Sequence, residues 1–145
     1  NKGRFNRYVN ETSKVIERMQ SIMEAIDNFE PIAPNISDAE RETRGSQALA
    51  INNNATAISK KALGLFHPHE SSEVHKELIQ ASESLRLAAY SLYTYSLQED
   101  PEEQMVQYKQ ARAQIAQTKT YLERFNIGVQ NLLSNNQPQP EEEQQ

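Results

Sequence analysis

Residues 104–132 read QMVQYKQARAQIAQTKTYLERFNIGVQNL. Alternating steps of four and three through this stretch land on Tyr108, Ala111, Ile115, Thr118, Leu122, Phe125 and Val129. That spacing turns one face of a 3.6-residue helix toward a single partner surface. The same walk runs from Tyr8 to Phe29, from Ala48 to Leu65 and from Val74 to Tyr95. Each is the inward stripe of an amphipathic helix. Four stripes in one small chain predict an all-α fold, an up-down-up-down antiparallel four-helix bundle.

Working outward, the boundaries follow from local chemistry. The first helix is expected over 4–28, where Pro31 and Pro34 forbid its continuation. Ser37 and Glu40 have capping-box spacing for a second helix over 38–66, with the carboxylate reaching back to the cap amide. The opening of that helix, Arg41 to Gln47, has no apolar stripe and includes Gly45, so it is expected to fray, kink or project. His67-Pro68-His69-Glu70 is a turn, since Pro68 drives His67 out of the helical region. Ser71 or Ser72 caps a third helix over 72–98. Asp100-Pro101-Glu102-Glu103 opens a fourth over 101–133, with an N-cap, a proline at the permissive first position and two carboxylates at the positive end. The bundle thus occupies 1–134. Residues 135–145, with no apolar side chain, are expected to be a disordered polar tail.

Composition bounds the function. The chain has 145 residues, a formal net charge of −5, 37% hydrophobic and 24% charged residues, and no cysteine. A domain of this length can bury a real core. The absence of a basic stripe speaks against nucleic-acid binding. Lack of Cys removes disulfides, zinc-thiolate sites and cysteine nucleophiles, and it fits an exported bacterial protein. No apolar run nears the ~18 residues of a membrane span. A first residue other than Met reads as a trimmed or processed product, so an upstream signal or anchor is the only membrane connection expected.

Three groups of residues invite a functional reading. His67, His69 and His75, with Glu70 and Glu73, could ligate a divalent cation by residue type. Their placement in a Pro turn and on one helix argues instead for a solvated turn plus one histidine packing at the bundle rim. No H-E-x-x-H occurs, and Ser72 stands where a di-iron bundle would need Glu before His75. Asn52, Asn53 and Asn54 interrupt the second helix and are read as solvated, in preference to a buried register-setting Asn52. Tyr90 lies off the third stripe and is expected at the surface. With Arg41 and Arg44 it forms the expected partner-contact set. No catalytic motif or phosphate loop is found, so the chain is read as a non-enzyme without cofactor.

The run from Pro68 to Leu122 has a proline, then His75-x-x-Leu78, an Ala-rich helix, an Asp-Pro turn and a second Ala-rich helix. In this it resembles secreted or lipid-anchored helical-bundle proteins of bacteria. The resemblance covers about a third of the chain. It implies an extracytoplasmic helical module and supplies no site residues. The expected function is therefore partner binding or spacing at the cell surface, the partner being a protein or cell-envelope component. A small-ligand sensor or carrier bundle, with a pocket along Ala-lined seams, is the alternative. A metal-dependent enzyme is the third class and requires the histidines to converge.

Overall fold

The computed structural model describes residues 2–135. Four α-helices follow one another: α1 (Lys2–Asp27), α2 (Asp38–Gly64), α3 (Ser72–Leu97) and α4 (Pro101–Asn135). A 3-10 turn, His69–Ser71, leads into α3. They pack as an up-down-up-down antiparallel bundle. Contacts between sequence-distant residues fix that direction. Tyr8 at the start of α1 meets both His75 at the start of α3 and Phe125 late in α4. Asp27 at the other end of α1 reaches Arg112, early in α4. Helix α4 runs two residues beyond the expected 133, to Asn135. The expected tail otherwise lies outside the described residues.

The stripes are buried as the spacing requires. Tyr8, Thr12, Val15, Met19, Ile22 and Ile26 face inward from α1, Phe29 from the loop just after it, and Leu78, Leu85 and Leu92 from α3. Phe5 extends the α1 stripe by one more turn. Among the described residues, no helix is long and apolar enough to cross a membrane.

The ends differ in detail from the expectation. α2 stops at Gly64, two residues early, and Leu65 is already extended. Pro68 demands a non-helical His67, and the chain uses the intervening residues to turn. Ser37 does cap α2 by accepting the Glu40 amide at 3.1 Å. The Glu40 carboxylate, however, accepts from the Ser37 hydroxyl at 3.2 Å instead of from the cap amide. Ser71 precedes α3 without a side-chain cap; its hydroxyl donates to the Pro68 carbonyl at 2.7 Å and holds the turn. Asp100 caps α4 by accepting the Glu103 amide at 3.1 Å.

The opening of α2 is continuous helix and is tied to the loop before it. The Arg44 guanidinium donates to the carbonyls of Glu30 and Pro31 at 2.7 and 3.3 Å and pairs with the Glu30 carboxylate. It thereby satisfies carbonyls of the α1–α2 loop that no helix serves. On the far side of that loop the Ile32 amide donates to the Tyr95 hydroxyl at 2.7 Å.

Leu85 sits at the centre of the α3 stripe with no exposed surface. Its replacement by Ala is expected to cost about 2–5 kcal/mol through lost transfer energy and the cavity left behind. Urea denaturation checks this, and an unchanged midpoint would refute the assignment of the core.

Candidate functional site

The candidate site emerges from the seam between α2 and α3. On α3, His75, Ser82, Ala89 and Ser96 recur every seven residues. On α2, Ala62, Ala55, Ala48 and Arg41 do the same in the opposite direction. One end of this register is fixed where the His75 Nε2 meets the Ala62 carbonyl at 3.0 Å. Arg41 and Ser96 border one cleft at the other end. Ala55, Ala48, Ser82 and Ala89, between those ends, are all buried. Small side chains let the helices close tightly there. At the fourth step α2 carries a guanidinium in place of a methyl group, and the seam opens.

The resulting open groove has a volume of about 440 Å³, within the size range of ligand clefts. Its lining includes Leu49 of α2 and Tyr93 and Leu97 of α3, together with Asp38, Arg41 and Glu42. Leu49 is 41% exposed and Leu97 59%. Tyr90, one turn away on α3, is 55% exposed. The Ser96 hydroxyl is already given to the Tyr93 carbonyl. The half-buried Arg41 has one terminal nitrogen, Nη1, shut off from solvent without an acceptor among the described residues.

The three residues expected to contact a partner therefore have different fates. Arg41 lines the groove and Tyr90 stands exposed beside it. Arg44 has only 15% of its side chain exposed and is committed to the α1–α2 loop. Asn52 is half-buried, and Asn53 and Asn54 are exposed.

The histidines lie at the opposite end of the bundle. His75 is 1% exposed and belongs to the core rather than its rim. A carbonyl only accepts, so the Ala62 bond requires hydrogen on Nε2, and Nδ1 is left as the acceptor for the Tyr8 hydroxyl at 2.7 Å. Both ring nitrogens are thus occupied, one by a carbonyl at the C-terminal end of α2 and one by α1. His67 stacks on the same ring at 4.4 Å between centroids, while His69 is exposed. The structure brings two of the three histidines together, face to face and with His75 spent. Among the described residues, no cluster of three His, Asp or Glu side chains is arranged to hold a metal. A second cleft of about 450 Å³ lies beside this turn, where the Arg4 guanidinium covers the Phe66 ring at 5.1 Å.

The long-range Tyr8–His75 bond leaves no trace in helical spacing. The Arg41 site does leave one: a break in the alanine repeat 62, 55, 48. Comparison of the chain with protein-family models, curated proteins and solved structures finds no match.

Burial holds the His75 pKa below its ordinary 6.5; the Ala62 bond opposes this shift, and His67 adds to it. Burial also pushes the Tyr8 phenol far up, so it remains a donor. The unfolded chain takes up a proton on His75 near pH 6.5, the folded chain only at lower pH. The stability contributed by the neutral ring is therefore present above pH 6.5 and lost as pH falls below it. Urea midpoints of the wild type are expected to drop between pH 7.5 and 5.5, by at most about 1.4 kcal/mol per pH unit from this group. In His75→Gln that slope should shrink, and an unchanged slope would contradict the assignment.

Proposed function

We propose that this protein is a non-enzymatic, extracytoplasmic helical-bundle module that binds a protein or cell-envelope partner through the α2–α3 groove. The observation that carries the reading is the groove itself, where apolar side chains meet a guanidinium that has one nitrogen without an acceptor among the described residues, beside exposed Tyr90. Exposed large apolar side chains gathered at a cleft are characteristic of contact surfaces, and Tyr and Arg are favoured at their centres. The groove lining favours binding over catalysis. It offers no histidine, and the Ser96 hydroxyl is already committed. An extracytoplasmic setting is supported by the cysteine-free composition and by the resemblance over Pro68 to Leu122.

The carrier alternative is weakened by the seams. An internal pocket wide enough for water would leave accessible surface on its lining. Ala48, Ala55, Ala62, Ala81 and Ala88 have none.

Photo-crosslinking in the native cells tests the proposal. A photoreactive residue at position 90 or 97 should yield a discrete adduct, and one at Lys14 on α1 should not. Leu49→Glu in the same chains should abolish the adduct. Equal labelling from all three positions, or none from 90 and 97, would overturn the reading.

A further inference from the structure

We infer that the α2–α3 groove takes a peptide segment in which a large apolar side chain lies next to a single carboxylate, the carboxylate pairing with Arg41. This rests on the partner-binding reading above and names its chemistry. Arg41 is costly as it stands. Its Nη1 has lost water and gained no acceptor among the described residues, whereas its remaining nitrogens retain solvent access. A partly dehydrated cation without a counter-ion is an expensive arrangement. Arg44, three residues on, donates three hydrogen bonds from its two terminal nitrogens, so an inward guanidinium on this helix face is not intrinsically unpaired. An acceptor entering the groove bonds the solvent-open nitrogens of Arg41 and supplies a counter-charge to the whole delocalised guanidinium. Such charge-assisted bonds exceed neutral ones in strength, more so where water is partly excluded.

The rest of the lining narrows the ligand. Leu49 and Leu97 are exposed and Tyr93 half-buried, so an apolar side chain laid across them takes their surface out of water. Asp38 and Glu42 are exposed, so solvent weakens their repulsion of a carboxylate that pairs directly with Arg41 without abolishing it. They do disfavour a second negative charge, which argues against phosphate groups. The ligand is then a monoanion with an apolar body. A carboxylate beside a leucine-sized side chain, at a chain terminus or on a neighbouring residue, meets that description.

Three small probes separate the contributions, with amide chemical shifts of the full chain as the readout. N-acetyl-L-leucine carries both features, N-acetyl-L-leucinamide lacks the charge, and acetate lacks the side chain. N-acetyl-L-leucine should shift amides in 41–49 and 93–97 saturably, in the weak range expected for so few atoms. Each of the other two probes should bind about tenfold more weakly, as expected when one charge-assisted bond or one apolar contact is lost. Arg41→Gln should lower the acid to the level of the amide while leaving the amide unchanged. Leu97→Ser should weaken both. Equal binding of acid and amide, or shifts centred elsewhere, would overturn the proposal. So would a dimer in sedimentation that dissociates on Leu97→Ser, since the occupant would then be a second copy. If none of the probes binds but crosslinks from positions 90 and 97 persist, the ligand class is wrong and the partner-binding reading stands.

Discussion

Helix α3 lies close against both α2 and α4 because each of its flanks carries small side chains, and the rest of the bundle is arranged around that closeness. Toward α4 it presents Ser84 and Ser91; the Ser84 and Thr118 hydroxyls meet at 2.8 Å and Ser91 donates to Gln114. Val74 stands against Gly128, ten residues from the Ser84–Thr118 contact on both helices, so the two pairs share one antiparallel register. A Cβ on Gly128 would come within 2.8 Å of the Val74 Cγ2. The interhelix distance is thus set by what is missing from the side chains, as ridge-and-groove packing demands. By contrast, α1 stands off on Phe5, Tyr8, Met19, Met23 and Phe29, and its backbone approaches α3 and α4 much less closely.

That difference decides where chemistry can be found. A seam closed on alanine and serine leaves no room for a guest, and the buried hydroxyls within it have partners of their own. Where one residue violates the pattern, the seam gapes. Arg41 is that residue, and the groove beside Tyr93 and Leu97 is its consequence. At the other end of the same seam His75 fills the gap with a ring instead. It satisfies a helix-end carbonyl on α2 and takes the Tyr8 hydroxyl of α1, so one side chain ties three helices together.

Much of this could be read from the chain. The walks through Tyr8, Ala48, Val74 and Tyr108 name the inward faces, because burial on a helix imposes a period and the period is written in the residues. Asp100-Pro101 and Ser37 mark their helix starts because capping is local. The tertiary role of Arg44 was not legible: its acceptors are carbonyls of Glu30 and Pro31, and no spacing rule links a guanidinium to a loop. The same holds for Tyr8 and His75, whose meeting depends on which helix ends share a corner. The groove was half legible. The alanine repeat and Arg41 stand in the sequence, but only the register against Ser96 shows that the fourth step leaves a gap.

The most direct test of the account is a double-mutant cycle at the contact of α3 and α4 around Gly128, measured by urea denaturation of the wild type, Gly128→Ala, Val74→Ala and the double variant. In an unconstrained helix Gly→Ala gains about 1 kcal/mol. If the small-residue seam fixes the spacing, that gain will be absent or reversed in the wild-type background, because the new methyl meets a β-branched side chain with little freedom to move. It will reappear, near 1 kcal/mol, when Val74 is Ala. The same gain in both backgrounds would contradict the account, since it would mean that α3 and α4 are not held at the distance on which the seams and the groove depend.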